Sequence, residues 1–166
     1  MESENEIDQF GRPYPAKQGG YHIPQLAADS VVIRLNPGGF HEVLLVTRGH
    51  FPYVGKLAFP GGRINYNEDP KVGCLRELKE ECGIEGKILD LLTVQGDPQR
   101  DPRGHVISVF YLVEVDANAQ IVAGDDATQA RFYALGPMLE SPNLLAFDHH
   151  KILQIAASRL PGRYQV

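Results

Sequence analysis

Between Pro70 and Gly83 the chain, reading PKVGCLRELKEECG, carries every signal of one short helix. Proline suits a first turn, and glycine accepts the left-handed geometry that stops a helix. Val72, Leu75, Leu78 and Cys82 recur at helical spacing and supply the stripe to be buried. That stripe forces Glu77, Glu80 and Glu81, at i, i+3 and i+4, onto one face away from the core. Three carboxylates so placed repel one another. An acidic helix face is ordinarily just solvated, but this one follows a Gly61-Gly62 turn that lets backbone approach a ligand. A hard-oxygen cluster of that kind suits Mg²⁺ or Mn²⁺.

The flanking sequence reads mainly as strands. LAADSVVIRL (26–35) and EVLLVTRG (42–49) are β-branched, apolar runs joined by the turn NPGGF, a hairpin signal. Residues 50–70 are rich in Gly, Pro and aromatics and read as loop, with a short strand at 57–59. GKILDLLTVQGD (86–97), HVISVFYLVEV (105–115) and QARFYAL (129–135) are further strands, and Asp148 is placed to cap a closing helix that stops at Pro161 and Gly162. With helices and strands interleaved and no repeat or linker, the chain is α/β: a loose N-terminal arm over 1–20 and one domain over 21–166.

Composition narrows the function classes. A net charge of −5 argues against holding nucleic acid or an anionic membrane by bulk electrostatics, since phosphate neutralisation needs a basic surface. Any phosphate-bearing substrate must be handled locally. Cys74 and Cys82, about 12 Å apart along the proposed helix, are too distant for a disulfide. Free thiols, no signal sequence and no apolar segment able to span a bilayer together predict a cytoplasmic protein.

The acidic helix belongs to a longer pattern: Gly62, five residues, Glu68, seven residues, Arg76-Glu77-Leu78, one residue, Glu80-Glu81, one residue, Gly83-Ile84. Nine positions at fixed offsets match the Nudix hydrolase signature without departure, and the chain resembles that family over about residues 25–160. The resemblance implies an α/β/α sandwich with a mixed β-sheet between helices, and metal-dependent hydrolysis of a nucleoside diphosphate linked to another moiety. It also implies Glu77, Glu80 and Glu81 with the Gly61 carbonyl as metal ligands, Glu68 as a supporting acid, and Arg76 as the arginine orienting the catalytic glutamates. The family often recruits one more carboxylate from a loop before the last strand, as ligand or general base. Asp125 and Asp126 stand there, and Asp126 is the candidate. As bare residues they are an ordinary Gly-Asp-Asp turn.

Substrate marks are shorter. Arg48 ends a strand leading toward the signature, and Arg100 and Arg103 bracket Asp101 in a tight loop, so all three are candidate substrate contacts. An internal Arg-Asp pair with a structural task is the competing reading. Phe51, Tyr53 and Tyr66 could stack on a base or pin their loop to the core. His149 and His150 are expected on the exposed start of the closing helix. The stretch around Arg100 and Pro98 is similar to ADP-ribose pyrophosphatases of the family, whereas the marks of the coenzyme A and NADH types are missing or distorted. The implied reaction is ADP-ribose to AMP and ribose 5-phosphate; a (deoxy)nucleoside triphosphate pyrophosphatase and a ligand-sensing Nudix module are the alternatives. The partner is then a small-molecule nucleotide, and a homodimer is compatible with the resemblance.

Overall fold

The computed structural model describes residues 7–13, 22–122 and 129–161. Its centre is a mixed sheet in the order β3-β2-β1-β6-β5, built from β1 (Gln25–Leu35), β2 (His41–Thr47), β3 (Leu57–Ala58), β5 (Gly86–Gln95) and β6 (Val106–Val115). β1 runs parallel to β6 from Gln25 opposite Val106 to Val32 opposite Val113. β4 (Gly61–Arg63) pairs antiparallel with the first half of β1, and β7 (Ala130–Ala134) pairs with β2.

Alternation along these strands sends side chains to two opposite cores. Val32, Leu44, Val46, Val109 and Val113 pack toward α1 (Pro70–Cys82), whose Cys74, Leu78 and Cys82 complete that layer. Val31, Val43, Leu45, Phe110 and Leu112 pack toward α2 (Leu135–Leu139) and α3 (His149–Ser158) through Leu135, Ile152 and Leu153. The result is an α/β/α sandwich. Burying each of these Leu, Ile or Val side chains contributes about 1.5–3 kcal/mol, so two filled layers hold the sheet without a disulfide. Both cysteines are free and buried.

α1 has its expected ends. Pro70 opens the first turn, and Gly83 closes it at φ 65°; Asp69, which was not foreseen, adds a cap by accepting from the Lys71 N–H at 2.8 Å. One residue departs from the expected stripe: Val72 is exposed, and the buried positions are Gly73, Cys74, Leu78 and Cys82. The helix is rotated so that small side chains meet the sheet, where the Ser30 hydroxyl reaches the Cys74 carbonyl at 3.2 Å.

β4 and α2 were not legible in the sequence. β4 is three residues long, and α2 begins at Leu135, where the predicted strand 129–135 ends, in a stretch given no helical reading. In the N-terminal segment, residues 7–13 form a small turn whose Arg12 pairs with Asp8 and donates to the Asp101 carbonyl at 2.7 Å. No helix among the described residues is long and apolar enough to cross a membrane.

Candidate active site

The loop after β3 folds back through β4 against β1, and α1 leaves from its far end, so one open cleft of about 630 Å³ forms where β1, β4, α1 and the start of α3 meet. One wall is acidic. Register places Asp29 opposite Gly61 and Ala28 opposite Gly62. A Cβ on Gly61 would collide with the Asp29 carboxylate, and one on Gly62 would meet the Glu77 carboxyl group. Glycine is required at both positions for these carboxylates to close on the turn.

Glu77 and Glu81 line the cleft half-buried, while Glu80 also lines it with a side chain that is 59% exposed. Burial, then the Glu77 charge, pushes the Glu81 carboxyl up to about 8, partly offset by the Gly61 backbone N–H donating to it. Asp29 rises to about 7, chiefly from burial, with Asp148 and Glu77 adding to it and Arg100 opposing. Neither group has a cation in ion-pair range among the described residues, so both are oxygen donors that ionise fully near neutral pH only when a positive charge arrives.

Arg76 stands behind them and uses all five of its N–H donors. It holds Glu68 in a two-point fork at 2.6 and 2.9 Å, Glu77 at 2.7 Å, Glu80 at 3.3 Å and the Arg63 carbonyl at 3.0 Å. That fork, followed by an Asn65 N–H, pulls the Glu68 carboxyl down to about 2. Arg76 therefore organises the acidic ridge and has no donor left for a ligand.

The donor set fits a hard divalent cation. Among the described residues, no three acid, histidine or cysteine side chains close into a metal cage by themselves. An open half-site of that kind suits an ion that keeps waters and takes its remaining oxygens from a phosphate.

The opposite wall carries the arginines, and their pairing differs. Arg103 holds Asp101 at 3.0 and 2.8 Å, the internal pair the loop sequence allowed. Arg100 instead reaches Asp148, 48 positions away, at 3.0 and 2.6 Å, and the Ser108 hydroxyl at 2.8 Å. Arg48 donates to the Pro52 carbonyl at 2.7 Å. Among the described residues neither Arg48 nor Arg63, which also lines the cleft, has a carboxylate in ion-pair range.

The start of α3 is where expectation and structure part. Asp148 occupies the cap position, but its carboxylate makes no cap hydrogen bond, because Arg100 holds it. His149 is not exposed: it is 4% accessible, stacks on Phe59 at 4.9 Å, and its Nδ1 accepts the Phe59 N–H at 3.1 Å. Burial pushes its imidazole down to about 3, so the ring is neutral. His150 is half-buried, with Nε2 2.6 Å from the Leu139 carbonyl oxygen. The rings of Phe59, Phe110 and Phe147 enclose His149.

Of the loop aromatics, Tyr66 is almost fully exposed, Phe51 is exposed, and Tyr53 sets its edge on Phe147. None of the three lines the cleft; Phe147 does, at φ 50°. Asp29 and Arg63 were also unforeseen. A lone carboxylate inside an apolar strand run was the available signal for Asp29, since an unpaired charge in a core strand is costly. Asp125 and Asp126 lie outside the described residues.

The NUDIX domain model matches residues 24–154. The chain is 38% identical over 134 residues to an ADP-ribose pyrophosphatase of Methanocaldococcus jannaschii, covering 81% of this chain and 73% of that protein. It is 29% identical to an ADPR-responsive transcriptional repressor of Acinetobacter baylyi over 89% of its own length, and it spans 58% of that repressor. Among solved structures, it is similar to the NUDIX domain of Shewanella oneidensis NrtR complexed with ADP ribose, with a TM-score of 0.77, 26% identity, and coverage of 88% of this chain and 94% of that one.

Proposed function

The chain belongs to the NUDIX domain family, and from that premise we propose that it hydrolyses ADP-ribose to AMP and ribose 5-phosphate with Mg²⁺ or Mn²⁺. One observation carries the reading. The cleft sets Asp29 and Glu81, which have no cation partner among the described residues, beside the Arg76-held Glu77 and across from arginines. A diphosphate can bridge those walls only with a cation on the acidic side. The similarity to an ADP-ribose pyrophosphatase over four-fifths of the chain supports the substrate.

In this reading Glu77, Glu80, Glu81 and the Gly61 carbonyl hold the metal, which when bound neutralises phosphate charge and acidifies a water. Arg76 keeps the glutamates in register. Arg48 lies on the phosphate path, where its charge offsets the anion. Arg100 and Arg103 contact the substrate from the loop after β5. Asp126 is the proposed general base.

The experiment is direct: purified protein, ADP-ribose and Mg²⁺ or Mn²⁺, with AMP release followed by chromatography. A clearly higher kcat/KM for dGTP or another triphosphate replaces this reading with the triphosphate pyrophosphatase. A second reading rests on the similarity to the ADPR-responsive repressor. In a sensor, ADP-ribose binds tightly and is recovered intact after prolonged incubation with metal.

A further inference from the structure

The cleft contains two kinds of arginine. Arg48 and Arg63 have no carboxylate partner among the described residues. Arg100 has one, and the pairing is extensive: its Nε and one terminal nitrogen form a fork on Asp148, the other terminal nitrogen donates to Ser108, and its side chain is 8% exposed. Three of its five N–H donors are engaged, leaving one on each terminal nitrogen. The guanidinium also lies between two rings, 5.7 Å from Phe110 and 5.8 Å from Phe147. It cannot swing toward a phosphate without leaving Asp148 bare. Asp148 in turn forgoes the helix cap that its position offers.

A paired arginine and aspartate carry no net charge, so what they present to the cleft is a fixed hydrogen-bond donor. We propose that Asp148 is a positioning residue that neutralises and orients Arg100, making Arg100 read an uncharged acceptor on the substrate while Arg48 and Arg63 read its phosphates. Resting on the ADP-ribose reading of the same cleft, this assigns Arg100 to a hydroxyl of the terminal ribose, the one beyond the diphosphate that a nucleoside triphosphate replaces with a phosphate. Discrimination against nucleoside triphosphates follows. A third phosphate offers more charge, which a neutral pair does not reward, and lacks the hydroxyl acceptor.

The test is Asp148→Asn, measured with Mg²⁺ for KM and kcat on ADP-ribose and for the competitive inhibition constant of ATP. Freeing the Arg100 charge is expected to raise KM for ADP-ribose by about tenfold, the loss of one good hydrogen bond. ATP is expected to bind as well as to the wild type or better. Asp148→Glu keeps the pair neutral but displaces it, so KM for ADP-ribose rises and ATP does not gain. If Asp148→Asn does not fold, the Arg100→Gln/Asp148→Asn double variant serves: it should lose ADP-ribose affinity without tightening ATP.

Equal weakening of both ligands in the single variant would mean that Asp148 merely ties α3 to the sheet, and the proposal falls. It also falls if the double variant binds ADP-ribose like the wild type. Should the wild type not hydrolyse ADP-ribose at all, the functional reading fails separately. The shift in relative affinity for ADP-ribose and ATP can still be read by calorimetry.

Discussion

The Glu77 carboxyl group closes over Gly62 so tightly that a Cβ there would stand 2.5 Å from its carboxyl carbon. The turn and the helix are therefore fitted to one another at a single glycine, and the substitution that tests the fit is Gly62→Ala. The methyl must displace Glu77, which Arg76 holds at 2.7 Å, so the acidic ridge shifts as a unit. Turnover should fall about 10–100-fold, the scale seen when groups supporting a metal site are disturbed. Circular dichroism should remain that of the wild type.

Glu81 and Asp29 make metal binding pH-dependent. Their folded values, about 8 and about 7, lie above the ordinary carboxylate range, so without metal both are largely protonated at pH 6. The sign follows: a raised carboxyl favours the fold at low pH, and that contribution disappears as pH rises through its folded value. A divalent cation needs the ionised forms. The increase in Tm produced by Mg²⁺ should therefore grow between pH 6 and 8.5, and Glu81→Gln should flatten that growth. The same variant should lose at least about 10²-fold in kcat with its fold intact.

Arg76 should not be replaceable by lysine. Its two-point hold on Glu68 and its reach to Glu77 need a planar fork, and an ammonium supplies neither geometry. Arg76→Lys is expected to lower kcat by about tenfold or more and to weaken metal binding, measured by Mg²⁺ titration. Activity near that of the wild type would show that charge alone suffices there.

For the general base, Asp126→Asn should cut kcat by roughly 10²-fold with little change in KM, and Asp125→Asn serves as its control. Equal, small effects from both variants would reduce the pair to a turn.

His149 predicts an acid-sensitive fold. Its imidazole is neutral down to about pH 3 when folded and protonates near 6.5 when unfolded, so the stability it protects is present above 6.5 and is lost as pH falls below it. Between pH 6.5 and 5 that loss is about 2 kcal/mol. His149→Gln can still accept the Phe59 N–H but does not titrate. Urea midpoints at the two pH values should move less in the variant than in the wild type, because the raised carboxyls, which act in the opposite direction, are common to both.

What the sequence determined by itself was everything set within a short window. Pro70 and Gly83 bounded α1, because a first-turn proline and a stop act over one or two turns, and local pattern located six of the seven strands among the described residues, though their ends shifted by a residue or two. The spacing from Gly62 to Ile84 marked the acidic ridge, because side chains three and four apart on a helix must share a face. Only the tertiary structure decided what lies across from that ridge. Asp29 faces Gly61 through strand register, and Asp148 meets Arg100 across 48 positions. Whether an aspartate at a helix start caps the helix or leaves it for an arginine depends on which group is packed opposite. His149 shows the same dependence: the sequence around it suggested a solvent face, and Phe59, 90 positions earlier, provides the stacking ring and the N–H that bury it. No local pattern encodes a partner at that distance; burial selects it when the layers close, since a polar group taken from water must find its hydrogen bond wherever the fold provides one.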